Sequence, residues 1–218
     1  MAYAEAYEVQ QEHHAAVLAS RDSDAPELGR ILLVEHDPVV TVSRRPSARE
    51  HLLATPELLA EHGVDVQGTD RGGDITYHGP GQLVCYPIID LNRAKLRLIE
   101  HVRVLEGAII QTLGAFGVET VQDADATGVW VPGATGAPER KIAAIGIRVR
   151  RWISLHGLAI NVTTDLEHFG LIVPCGLAGR PVTTMRAELG EACPAMDDVK
   201  RVLVERLTAR LSERRAKA

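Results

Sequence analysis

A few residues in this chain have the means to do chemistry: one cysteine in an unusual setting, one lysine, and two histidines beside glycines. Cys175 stands in the run VPCG, between Pro174 and Gly176. Its neighbours keep it out of regular structure, and the glycine clears space in front of the sulfur. A thiol of ordinary pKa is only a few per cent thiolate at neutral pH, so a nucleophilic cysteine requires a cation or a base beside it. The competing reading is a plain buried thiol, since free cysteine is among the most buried residue types. Cys85, mid-run in QLVCYPIID, reads as core filler, and Cys193, in GEACPAMDD, as incidental. Lys141 heads the run KIAAIGIRVRRW. Strict alternation puts Lys141, Ala143, Ile145, Ile147 and Val149 on one face and Arg148 and Arg150 on the other, so Lys141 is expected on the buried Ile/Val side. There it is either a general base or thiolate-stabilising cation, or a strand-end lysine that reaches back to water. His78 and His156 each precede a glycine and can orient a substrate or shuttle a proton, with a structural role as the alternative.

What must position these groups is first of all the stretch from Arg71 to Asp90, RGGDITYHGPGQLVCYPIID. It spends four glycines, a histidine and an arginine within eleven residues, which suits one wall of a binding site better than core filling. Two strand-like halves, DITYH and QLVCYPIID, lie on either side of its GPG turn. A further strand, ISLHGLAINV, carries the small residues Gly157 and Ala159 on one face, either to admit a ligand or to allow tight sheet packing.

The remaining elements follow from period and punctuation. Residues 3 to 20 read as a helix ending near Ser20. ILLVEHDPVVTVSRR reads as strand, turn and strand, flanked by the Arg44–Arg45 pair; the pair is either solvated or of use to a partner carrying acidic groups. Ser47 to His62 is helical in character, with Gly63 as its cap. Leu98, Val102, Leu105, Ile109, Leu113 and Phe116 recur at helical spacing and predict a helix with that face buried. TGVWV predicts a strand, and Val199, Leu203, Leu207 and Leu211 line the inner face of a C-terminal helix. Separate helices among hairpin-like strand pairs, with no repeat and no composition break, predict one α+β domain over residues 1–218.

Composition narrows the function classes. The chain has 218 residues with a net charge of −5 and only 4% aromatic residues, which argues against a nucleic-acid binder. No run approaches the ~20 apolar residues of a membrane span, and MAYAEAYEVQQEHH lacks the basic and apolar regions of a secretory signal. An odd cysteine count then predicts reduced thiols in a cytoplasmic protein. The histidines and cysteines have no metal-type spacing, and no GxxxxGK[ST] or GxGxxG occurs, so neither a metal nor another cofactor is expected.

The runs RGGDITYHGPGQLVCYPIIDL, GVWV, KIAAIGIRVRRWISLHGLAINV and LIVPCG together resemble the lipoyl(octanoyl) transferases. The resemblance implies the catalytic fold of the biotin and lipoate protein ligases, with a mixed, largely antiparallel sheet flanked by helices. It implies transfer of an octanoyl group from octanoyl-acyl carrier protein to a lysine of lipoyl domains. Such domains belong to 2-oxo acid dehydrogenase acyltransferase subunits and to the glycine-cleavage H protein. By the same resemblance Cys175 is the acyl-thioester nucleophile, and Lys141 lowers its pKa and shuttles protons. The substrate-lining segments are then Arg71, Gly72, Gly73, Asp74, Ile75, Thr76, Tyr77 and His78; Ala144, Ile145 and Gly146; and Gly157, Leu158 and Ala159. The rival readings are an ATP-dependent lipoate or biotin ligase of the same fold, and a carrier-binding protein without activity.

Overall fold

The computed structural model describes residues 1–123, 125–134, 137–174 and 179–217, with side chains as far as 214. In chain order it contains α1 (Tyr3–Ala19), β1 (Gly29–Val34), β2 (Val39–Val42), α2 (Pro56–Glu61), β3 (Asp65–Gly68), β4 (Ile75–His78) and β5 (Gln82–Ile89). There follow α3 (Leu98–Ala115), β6 (Val121–Gln122), β7 (Val129–Val131), β8 (Arg140–Arg150), β9 (Ile153–Asn161), α4 (Met185–Leu189) and α5 (Met196–Lys217). A six-stranded antiparallel sheet runs in the order β1-β5-β9-β8-β7-β6, and a small sheet runs β3-β2-β4, with β2 and β3 parallel. The fold is α+β with a mostly antiparallel sheet flanked by helices, as expected.

Every residue of β5 is buried, because both faces of the large sheet are covered. On one face, Leu83, Cys85, Ala143, Leu158 and Ile160 pack with Leu105, Ile109 and Leu113 of α3 and Leu203 and Leu207 of α5. Cys85 is core filler there, and burial pushes its thiol up to about 12. On the other face, Ala6 of α1 packs on Val84, Tyr86 and Ala159. The glycine-rich segment before β4 crosses the same face of β8.

Three expectations need correction. The halves on either side of the GPG turn are strands but not a hairpin: β4 pairs with β2 in the small sheet, and β5 with β1 and β9 in the large one. The turn therefore carries the chain between sheets. In α3, Leu98 is 52% exposed while His101, Glu106 and Thr112 are buried. The helix lies between the sheet and α5, so its buried face is wider than one stripe.

The third correction concerns Lys141. Val129 lies opposite Ala143 and Trp130 opposite Lys141, which leaves Ile142 as an extra residue in β8. This is a β-bulge, and it breaks the alternation. Ile142 and Ala143 both join the helix-side core, along with Val129 and Val131, whereas Trp130 does not. Lys141 shares the face of Trp130, with its Nζ 5.0 Å from the ring centroid. It is buried, but on the face opposite the Ile/Val stripe, the same face as Ala144 and Gly146.

Candidate active site

A narrow cavity of about 50 Å³, or about 470 Å³ when its open mouth is counted, lies between the large sheet and the Arg71–His78 segment. Its sheet wall is Ala144, Ile145 and Gly146 of β8, His156, Gly157, Leu158 and Ala159 of β9, and Val84 and Tyr86 of β5. Its other wall is Arg71, Gly73, Asp74, Thr76 and His78, and Tyr3 of α1 contributes as well. Most of the three substrate-lining segments named from the sequence thus meet around one space. Gly72, Ile75 and Tyr77 do not line it: Ile75 and Tyr77 point into a second core cluster with Val40, Phe169 and Leu171. Tyr3, Val84 and Tyr86 are lining residues that the sequence did not single out. Alternation about Cys85 in β5 held a signal for the last two, and nothing local marked Tyr3.

Small residues make this space in two different ways. Ala144 and Ala159, opposite each other across β8 and β9, stop short and leave room. Gly146 is required by a close approach: a Cβ there would lie 2.7 Å from the Gly72 carbonyl oxygen, and Gly72 N–H donates to the Ile147 carbonyl at 3.0 Å. Gly157 answers to sheet packing, since its Cβ would meet the Cys85 carbonyl at 2.1 Å. The segment that closes the cavity is thus sewn directly onto β8.

Arg71 is held across this segment, its Nε and Nη2 donating to Thr41 Oγ1 at 3.2 and 3.0 Å. His78 Nδ1 lies 2.6 Å from Gln82 Oε1, and burial drives the ring pKa down to about 3. His156 Nε2 lies 2.7 Å from Asp70 Oδ1, and Asp70 is in turn paired with Arg148. Burial and the guanidinium groups of Arg71 and Arg148 hold the His156 ring down at about 3. Both rings are neutral at pH 7 and act as fixed wall groups rather than acids of ordinary strength.

Lys141 precedes Ala144 on the cavity face. Gly128, at φ +134°, makes room for it: a Cβ there would sit 2.6 Å from Lys141 Cε. Cys175 and Gly176 lie outside the described residues, but both flanks of their segment are fixed. On one side Ile172 bridges Leu52, and Val173 N–H donates to the His51 carbonyl at 2.8 Å. His51 Nδ1 is itself 2.7 Å from Asp74 Oδ1 on the cavity wall. On the other side Arg180 stacks 3.6 Å over the Trp130 ring and pairs with Asp123 and Glu139. Lys141 N–H donates to the Pro181 carbonyl at 2.8 Å. Val173 is thus tied through His51 to Asp74, and Pro181 is tied to Lys141. No group of three or more metal-ligating side chains occurs among the described residues.

Residues 2–208 match the family model described as the lipoyl protein ligase A/B catalytic domain. The chain belongs to the lipoyl protein ligase A/B catalytic domain family. Within this family it is 49% identical to an octanoyltransferase of Acidobacterium capsulatum over 76% of this chain and 72% of the relative. It is 42% identical to the octanoyltransferase of Bacteroides thetaiotaomicron over 98% and 92% of the two chains. The lipoate protein ligase of a bipartite system from Thermoplasma acidophilum shares the fold, with a TM-score of 0.68, 18% identity, and 93% of this chain and 78% of that one covered. No helix among the described residues is long and apolar enough to cross a membrane.

Proposed function

We propose that this family member is an octanoyl-[acyl carrier protein]:protein octanoyltransferase, working as one catalytic domain in the cytoplasm. Its acyl donor is octanoyl-acyl carrier protein. Its acceptors are lysines of lipoyl domains, in 2-oxo acid dehydrogenase acyltransferase subunits and the glycine-cleavage H protein. The observation that carries this reading is the meeting of three parts: the narrow cavity, Lys141 on its face, and the two fixed flanks of the Cys175 segment. The cavity would take the C8 chain; burying six methylenes at ~0.8 kcal/mol each contributes about 5 kcal/mol.

The reaction then runs in two halves. Lys141 Nζ takes the Cys175 proton, and the thiolate attacks the donor's thioester carbonyl. As that tetrahedral intermediate collapses, the C–S bond to the carrier breaks and the carrier thiolate takes the proton from Lys141. In the second half the acceptor lysine, as a free amine, attacks acyl-Cys175 and gives up its proton to Lys141 as the C–N bond forms. The Cys175 thiolate leaves and is reprotonated by Lys141. Backbone amides near Gly176 or in the glycine-rich segments serve as oxyanion donors. Every step is proton transfer or acyl exchange and uses no cofactor.

Mass spectrometry after mixing with octanoyl-acyl carrier protein is expected to find one octanoyl group on Cys175 and none in Cys175→Ser. An adduct that persists elsewhere in Cys175→Ser overturns the assignment. The shared fold with lipoate protein ligases favours a second reading, an ATP-dependent ligase. Transfer from free octanoate that requires ATP would establish it in place of the first.

A further inference from the structure

A second and wider cleft, of about 650 Å³, lies on the far side of the Arg71–His78 segment. Tyr3 and Tyr7 of α1 form one side, and Val42, Arg44, Arg49 and Leu52 contribute to the other. The chain as a whole is acidic, yet it carries three arginines, Arg44, Arg45 and Arg49, within six positions, and Arg44 and Arg49 line this cleft. All three are exposed, and no ion pair to a carboxylate involves any of them among the described residues. The carboxylate in the lining, Asp70, is engaged with Arg148 and His156.

The cleft and the acyl cavity share a wall. Ser43, next to Arg44, donates from Oγ to the Gly73 carbonyl at 3.0 Å and from its amide to the Asp74 carbonyl at 3.3 Å. His51, two residues after Arg49, holds Asp74 Oδ1 at 2.7 Å. Tyr3 lines both spaces. Leu52 bridges Ile172, three residues before Cys175. An anion held by Arg44 and Arg49 would therefore sit across one layer of backbone from the cavity and beside the flank of the Cys175 segment.

We propose that this cleft holds the phosphate-bearing pantetheine arm of the acyl donor, with Arg44 and Arg49 on the phosphodiester. Arginine presents a fork of N–H donors that matches phosphate oxygens. The apolar lining from Val42, Leu52 and the tyrosines accepts the methyl groups and amide chain of the arm. This inference rests on the acyl-transfer reading above and gives it a donor track.

Steady-state transfer by Arg44→Ala/Arg49→Ala, compared with the unaltered protein, tests it with three octanoyl donors: octanoyl-acyl carrier protein, octanoyl-coenzyme A and the phosphate-free octanoyl N-acetylcysteamine. The donor KM should rise roughly ten- to hundredfold for the first two, as for loss of hydrogen bonds to a charged group, and stay unchanged for the third. Arg44→Lys/Arg49→Lys should recover part of the loss. An equal penalty on the phosphate-free donor overturns the proposal, as does a penalty on the carrier alone, which would mean that the protein surface and not the arm is read. If the unaltered protein transfers from none of the three, the acyl-transfer reading itself fails, an outcome distinct from either.

Discussion

The two faces of the large sheet are built by the same strands and behave in opposite ways. On the helix side, β5, β8 and β9 present Leu83, Cys85, Ala143, Leu158 and Ile160, all buried and closed over by α3 and α5. On the other side, the strands present Ala144, Gly146, Gly157 and Ala159, and the covering segment stands off far enough to leave a cavity. Side-chain size at alternate positions decides which face is filled and which stays open. The filled face supplies stability, and the open face gives up part of that burial to keep a slot.

This contrast can be broken from either side. The largest effect is expected on the filled face: Ile160→Ala should cost about 2–5 kcal/mol through lost burial and a residual cavity. Denaturant unfolding reads this loss, while activity per folded molecule stays near normal. On the open face, Ala159→Leu should fill the slot, at a cost of about 1–3 kcal/mol where the larger side chain presses on Ala6 of α1. Displacing three methylenes at ~0.8 kcal/mol each gives about 2.4 kcal/mol, roughly fiftyfold in octanoyl transfer. Butyryl thioesters, which do not reach that depth, should be spared; an equal loss for both chain lengths would separate Ala159 from the acyl slot.

The smallest effect sharpens the comparison through pH. His101 on the filled side and His78 on the open side are both buried, with pKa values driven down to about 4 and about 3. Between roughly pH 6.5 and these values the unfolded chain binds protons that the folded one does not. Stability is therefore complete above about pH 6.5 and falls as pH drops, by up to about 1.4 kcal/mol per pH unit per histidine. Neither ring nitrogen of His101 has a hydrogen-bond partner among the described residues. His101→Leu should flatten the acid limb by one proton and raise stability at pH 5, as measured by thermal unfolding across pH. An unchanged slope would mean that His101 is protonated in the fold.

Much of this architecture is legible in the chain. Helical spacing marks α3 and α5, alternation marks β8 and β9, and the all-buried run of β5 reads as a strand covered on both sides. Glycine density flags Arg71–His78 as a wall. The failures share one cause. Nothing local separates a hairpin from two strands that part company, so the GPG turn passes for a hairpin until β2 and β9 claim its two halves. His51 and Tyr3 carry no signal at all, because their places depend on Asp74 and on the packing of α1.

Lys141 shows where the division falls. Alternation along the chain puts a lysine at the head of a strand and would bury it with the isoleucines. The face it occupies is set by how β8 pairs with its neighbour. Ile142 becomes a bulge because β7 pairs in a register that opposes Trp130 to Lys141 and Val129 to Ala143. A one-residue slip in pairing sends a side chain to the opposite face, and register is a property of two strands, not one.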